Sequence, residues 1–358
     1  MQIIRNRWRI DDFKINLRKI WTVNDFSLLK KENIIKTGLS PLEFEALSLE
    51  TFQFQYQNNT VYRDWVKQLH IRPENVSQIT EIPFLPIEFF KSQKVLSSAA
   101  QTQTIQFTSS STSSQQPASH FVNDPSLYEL SFTKGFQHFY GEVSDYVLLA
   151  LLPNYLQRSG SSLVYMCDQL IRNSGSEESG FYLNDYERLL QTIADLKKNS
   201  RKKILLIGVS YALLDLCELK PDFGDGVTVM ETGGMKGRRS EMLKPELHAF
   251  LKSGLGVPEI HSEYGMTELL SQAYSQGDGL FRSPSWMKFF IRETDDPLSL
   301  KTDGRTGGIN VIDLANLHSC SFIATKDLGR LHPDGALELM GRFTDSDIRG
   351  CNLMLESQ

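Results

Sequence analysis

The stretch Ile260-His261-Ser262-Glu263-Tyr264-Gly265-Met266-Thr267-Glu268 decides how the chain is read, because it packs hydroxyl, carboxylate and turn chemistry into one short run. Val257 to His261 reads as a short strand. Gly265 marks a point where the backbone turns or is approached closely, which glycine allows without steric penalty. A loop then leaves the strand, and loops at the carboxyl ends of strands in an open α/β sheet are where ligands usually sit. There Thr267 offers a hydroxyl to a phosphate oxygen. Glu268 offers a carboxylate to a hard cation such as Mg2+, which takes oxygen ligands and shares them with substrate phosphates. The same residues also suit an ordinary strand-to-helix connection with Glu268 in the first helical turn, where the helix dipole favours a carboxylate.

Upstream, strands alternate with helices. Gln103–Phe107 reads as a strand, Asp124–Tyr140 as a helix, Tyr146–Leu152 as a strand, Ser159–Arg172 and Asp185–Lys198 as helices, and Ser240–Gly254 as the helix entering the opening stretch. Lys203-Ile204-Leu205-Leu206-Ile207-Gly208 is apolar on both faces, as a buried strand is. The alternation predicts a parallel or mixed sheet covered by helices. Before it, Ile10 to about Leu96 is mostly helical, with an extended, proline-punctuated piece at Ile82–Lys91. Beyond Glu268 the pattern changes to short strands at Trp286–Arg292, Gly308–Leu314, Ser319–Thr325 and Leu337–Met340, which suggest a small barrel or second sheet.

Two glycine- or serine-rich segments sit where strands end. Thr108-Ser109-Ser110-Ser111-Thr112-Ser113-Ser114 follows a strand directly, and is either a flexible linker or a loop whose hydroxyls and amides close on phosphate; its place after the strand favours the loop. Glu231-Thr232-Gly233-Gly234 ends another strand, as a tight turn or as bare backbone for a flat base. Gly208-Val209-Ser210-Tyr211-Ala212 lacks the last glycine of a hydrolase nucleophile elbow, which argues against a serine hydrolase. Near the end, Asp327 could accept from ribose hydroxyls and Arg342 could donate to ribose or phosphate, though both residues are also common in hairpin turns. Cys351, flanked by Arg349 and Gly350, lies where a thiol ionises more easily, although most cysteines are inert filler.

A net charge of -5 argues against a nucleic-acid surface. The four cysteines, Cys167, Cys217, Cys320 and Cys351, are far apart with no C-x-x-C pair, so neither a zinc site nor a disulfide framework is expected, and a reducing cytoplasm fits best. No apolar run approaches membrane-spanning length.

In order and spacing these motifs resemble the acyl- and aryl-adenylating superfamily, and most closely the acyl-protein synthetases of bacterial fatty-acid reductase systems. The likeness runs from about Pro83 to the end. Tyr264-Gly265-Met266-Thr267-Glu268 is similar to the superfamily's most specific core motif, Asp327-Leu328-Gly329-Arg330 and Gly341-Arg342 to its ribose-binding segments, and Gly233-Gly234 to its adenine-side turn. Leu152–Leu156 and Ser161–Tyr165 resemble the acyl-protein synthetase branch in particular. The resemblance implies activation of a carboxylic acid, a fatty acid in particular, with ATP and Mg2+, and then transfer from the acyl-adenylate to a thiol. It assigns ATP to Thr108–Ser113, Gly233, Gly234, Tyr264, Gly265, Thr267, Asp327 and Arg342, the metal to Glu268, an extra donor to Lys236, and catalysis to Thr267, Glu268 and Cys351. Cys351 stands where such enzymes carry their acyl-accepting cysteine. A reductase or other acyl-transferring protein is the implied partner.

The sequence departs from the pattern twice. Ser110 and Ser113 replace the phosphate loop's glycines with no lysine after Pro117, and the chain ends just past Arg342–Gly350, leaving the mobile C-terminal domain absent or vestigial. The expected fold is therefore α/β. A mostly helical segment (1–100) packs on an adenylating core of mixed β-sheets covered by helices (101–280), followed by a small β-subdomain (281–341) and a hinge-like tail with Cys351 (342–358). Tyr146–Tyr165, Gly208–Leu214 and Gly233–Met235 are the expected pocket walls. Two other readings compete: a ligase of the phenylacetate type that loads free coenzyme A, and a degenerate nucleotide- or acyl-binding partner protein.

Overall fold

A computed structural model describes residues 29–97, 104–109, 116–152, 160–233, 242–294, 296 and 298–343. Helices α1 (Lys31–Ile34), α2 (Pro41–Asn58) and α3 (Thr60–Gln68) come first. Helix α2 starts where Ser40 and Glu43 satisfy each other's backbone amides in a capping box with Pro41 at the first helical position. Strand β1 (Leu85–Pro86) and the short helix α4 (Phe89–Ser92) follow, so the expected extended piece at Ile82–Lys91 is only partly extended. Pro83 and Pro86 keep the residues before them out of the helical region, but nothing after Pro86 does, and a helical turn there buries Phe90.

A hairpin of β2 (Ile105–Thr108) and β3 (Ser119–Val122) leads into α5 (Pro125–Tyr140). The central sheet is then laid down: β4 (Tyr146–Leu151), α6 (Ser162–Ser174), β5 (Gly180–Phe181), α7 (Tyr186–Asn199), β6 (Lys203–Gly208), α8 (Ser210–Cys217), β7 (Val227–Glu231), α9 (Lys244–Leu255), β8 (Ile260–Tyr264) and β9 (Ala273–Ser275). Strand order is β5-β4-β6-β7-β8-β9, parallel except for β9. β4 is buried along its length and β6 in all but Lys203, because helices cover both faces. Helix α7 turns Leu189, Ile193 and Leu196 inward on one face and is capped by Asp185. The register sets Leu151, Gly208, Glu231 and Ser262 in one row, so the carboxyl ends of four strands open on one edge.

Strands β10 (Leu280–Phe281), β11 (Met287–Arg292), β12 (Leu300–Lys301), β13 (Gly307–Asp313), β14 (Phe322–Leu331) and β15 (Leu337–Arg342) form a second sheet in the order β10-β15-β14-β13-β11-β12. β1 joins it from far upstream, parallel to β14 with Leu85 beside Ile323. β14 starts three residues later than expected and runs six further, which puts Asp327 in mid-strand, directly across from Arg342. No helix among the described residues is long and apolar enough to cross a membrane.

Candidate active site

β8 delivers the site's first residues. Side chains alternate along it, so Ser262 and Tyr264 face one way and Glu263 the other. The Tyr264 ring stands edge-on to Phe281 and Phe289, and its hydroxyl donates to Asp327 Oδ2 at 2.8 Å. Burial pushes the Tyr264 pKa well up, so the phenol stays a donor. Arg342 Nε donates to Asp327 Oδ1 at 2.8 Å from the neighbouring strand. Asp327 is thus buried between a phenol and an exposed guanidinium, with one bond on each oxygen. A carboxylate offers about four lone-pair sites, so acceptor capacity remains.

Past Gly265 the backbone makes a turn rather than the helix that the alternative reading required, and Leu269 N bonds Met266 O. Its polar groups are taken up from four directions. His120 Nδ1 reaches the Thr267 carbonyl at 2.8 Å, and Asn316 Nδ2 donates to the Glu268 carbonyl at 2.7 Å. Asp313 accepts from the amides of Leu270 and Ser271, from Ser271 Oγ and from the Ala315 amide. Trp286 Nε1 donates to Ser131 and Ser271. A turn so tied holds Glu268 in place. Glu268 is 6% exposed, and the pKa of its carboxyl is raised to about 7 by burial first, with Asp327 adding to the shift. Its own backbone amide, Arg342 and Lys91 oppose that shift.

Behind this turn, the row of strand ends carries a second polar cluster. Glu231 accepts from Lys244 Nζ at 2.5 Å, Ser262 Oγ at 2.6 Å, the Gly233 amide at 2.8 Å and Ser210 Oγ at 3.2 Å. Burial opposes its charge, but Lys244 and these donors outweigh it and hold the carboxyl well below the usual range. His248 Nε2 lies 3.1 Å from Ser262 Oγ and 3.4 Å from Glu231. One nitrogen serves both neighbours, so this is no proton relay of the Ser-His-acid kind, in which the two ring nitrogens face different partners. Its effect is to pin the amide of Gly233, which adopts a φ of +72° that glycine tolerates.

Glu263, on the opposite face, is buried with its pKa raised to about 8, mainly by burial and also by Glu231, against a smaller opposing effect of Lys244. A Cβ at Gly265 would come within 2.3 Å of Glu263 Oε1, so a larger residue there would displace that buried carboxyl. A raised carboxyl pKa stabilises the fold fully below the unfolded value of 4.5, and that contribution is lost as pH rises towards 8. Glu263→Gln is therefore expected to melt about 5 °C higher than the parent at pH 8.5 and within a degree or so of it at pH 4.5. Melting curves across that range test the sign.

The serine-rich segment begins on the β2–β3 hairpin. Ser109 N donates to Ala118 O, Ala118 N to Ser109 Oγ at 2.8 Å, and Thr108 N to Gly160 O at 2.7 Å, closing the segment's two ends on each other. Ser110, Ser111, Thr112, Ser113, Gly234, Lys236 and Cys351 lie outside the described residues. An apolar cavity lies between the central sheet and helices α5 and α6, lined by Phe136, Leu148, Ala150, Met166, Leu205 and Met230 among others. It takes Leu148 and Ala150 from the first expected wall, whereas Tyr211–Leu214 are packed into the core instead.

The structure thus brings Tyr264, Asp327, Arg342, Thr267 and Glu268 together, with Gly233 at the next strand end. Sequence reasoning missed His120, Asn316, Asp313, Glu231 and Glu263. Each is a polar residue interrupting an apolar or strand-like run, and that was the available signal. No group of three His, Cys, Asp or Glu residues gathers as a metal cage among the described residues. One buried carboxylate instead suits a cation that takes its other ligands from a substrate's phosphates.

The fold is that of the adenylate-forming ligases. 2-Hydroxyisobutyryl-CoA ligase in an open conformation, in complex with 2-HIB-AMP and CoA, superposes with a TM-score of 0.60 at 12% identity over 87% of this chain and 72% of that one. The same enzyme in its postadenylation state gives 0.60 at 13% identity, over 87% and 70%. Within that class, residues 37–124 match the family described as acyl-protein synthetase, LuxE. The long-chain-fatty-acid–luciferin-component ligase of Aliivibrio fischeri is 24% identical over 87% of each chain. This chain is thus similar to the acyl-protein synthetases, and the likeness supports an ATP-dependent, acyl-adenylate-forming ligase.

Proposed function

We propose that this protein activates a fatty acid with MgATP and passes the acyl group through Cys351 to a reductase or another acyl-accepting protein. The observation that carries the reading is the Tyr264–Asp327–Arg342 chain of hydrogen bonds. It joins the carboxyl end of a parallel strand to a hairpin of the second sheet, immediately beside the buried Glu268. Asp327 would use its spare acceptor capacity for ribose hydroxyls, and Arg342 its terminal nitrogens for ribose or phosphate. Thr267 and the serine segment would donate to phosphate oxygens, and the Gly233 turn would lie against the base. Glu268 would hold Mg2+, which supplies charge neutralisation at the phosphates when bound. The remaining task of these residues is alignment and charge stabilisation, since the acid's own oxygen forms the new bond to the α-phosphorus as pyrophosphate leaves.

Cys167, Cys217 and Cys320 are buried cysteines outside any disulfide, and burial pushes the Cys320 pKa up to about 12. They are poor acyl acceptors, which supports Cys351 in that role, and cysteines outside disulfides suit a reducing, cytoplasmic setting. Exchange of labelled pyrophosphate into ATP, run over carboxylic acids of increasing chain length, tests the reading. Exchange that depends on the acid and peaks at long chains is expected; none with any acid, despite ATP binding, would leave only a binding protein.

A further inference from the structure

We infer that His120 is a positioning residue whose Nδ1–H sets the distance between the β2–β3 hairpin and the Thr267–Glu268 turn; the inference rests on the adenylation reading. His120 is fully buried on β3, two residues after the hydrogen bonds that close the serine segment at Ser109 and Ala118. Its Nδ1 lies 2.8 Å from the Thr267 carbonyl. A carbonyl only accepts, so Nδ1 carries the hydrogen and Nε2 is left as a lone pair. That Nε2 has no hydrogen-bond partner among the described residues. The ring stands at 89° to Phe90 of α4, 5.6 Å away.

The hairpin needs such a link. β2 and β3 pair with each other and with neither large sheet, and a lone two-stranded hairpin is marginal on its own. Its place is set by bonds that leave it: Thr108 N to Gly160 O on one side and His120 to Thr267 on the other. The second bond runs to the residue next to Glu268. It therefore fixes how far Thr108 and Ser109, at the end of β2, stand from that carboxylate. An apolar ring would fill the space but leave the Thr267 carbonyl without this donor, whereas a side-chain amide at the Nδ1 position would keep it. What the imidazole adds is a rigid donor at a defined distance from the backbone.

The test compares His120→Asn, whose side-chain amide can sit near the Nδ1 position, with His120→Gln, whose amide reaches the Nε2 position, and with His120→Ala. For a misplacement of about 1 Å, Gln and Ala are expected to lose roughly 30- to 100-fold in the kcat of pyrophosphate exchange, with KM for MgATP within about threefold of wild type. Asn is expected to stay within about fivefold in both. Equal losses in Asn and Gln, wild-type kcat in Ala, or losses that follow the melting temperatures would overturn the inference. A wild-type protein without exchange activity fails the adenylation reading separately. Amide hydrogen exchange at Met266–Glu268 then reads the tether directly: faster exchange in Ala and Gln but not in Asn supports it, and unchanged rates in all three refute it.

Discussion

Cys351→Ser should give a protein that exchanges pyrophosphate into ATP at close to the parental rate yet carries no hydroxylamine-sensitive acyl group. In the second step a thiolate attacks the carbonyl carbon of the mixed anhydride, the carbon–sulfur bond forms as the carbon–oxygen bond to phosphate breaks, and AMP leaves. A serine hydroxyl is hardly ionised at neutral pH, so label on the protein should fall by at least about 100-fold. Any serine ester that forms would survive neutral hydroxylamine and can be told apart. The described cysteines offer no substitute, since Cys167, Cys217 and Cys320 are all buried. Burial holds the Cys167 and Cys320 thiols protonated. Thioester found on coenzyme A instead, with no dependence on Cys351, would select the phenylacetate-type reading. Sensitive label that persists in the variant would place the acceptor elsewhere.

How much of this arrangement could be read in advance depends on the range of the interactions. Lys203–Gly208 reads as a buried strand because its apolar residues occupy both faces, and the helix beginning at Asp185 announces itself by a cap and one apolar stripe. Those are local signals. β1 is two residues long and earns its place only by pairing with Ile323 and Ala324, which no local pattern encodes. Tyr264 and Asp327 are each legible as motif residues, but their hydrogen bond spans 63 positions and depends on how two sheets meet. The supporting residues were harder still. Asp313 ends a fully buried strand and His120 sits in a serine-rich context, so each looks like a lapse in the apolar pattern until its partners are known. Polar lapses of that kind gather where a fold gives up local consistency to build a site.

Glu268 is where that concession should be most visible in solution. Glu268→Gln is expected to lower the kcat/KM for MgATP in the exchange assay by about 100- to 1,000-fold, the scale of losing one preorganised charged contact in a water-poor site. Gln keeps the shape and the acceptor oxygen but not the charge that would draw a divalent cation. Without cation, burial raises the carboxyl pKa to about 7, with Asp327 adding and with the backbone amide, Arg342 and Lys91 opposing. The ionised fraction therefore falls roughly tenfold per pH unit below 7, and activity at limiting Mg2+ should fall with it. Because cation and proton compete for the same oxygens, raising Mg2+ should move this acid limb to lower pH, and the Gln variant should lack the limb. The same raised pKa removes stability as pH climbs from 4.5 through 7, so the Gln variant should also melt higher than the parent at pH 8. A variant that is less active but more stable on the alkaline side separates a ligand carboxylate from a structural one. Parental activity in Glu268→Gln, or an acid limb indifferent to Mg2+, would remove the cation from this turn.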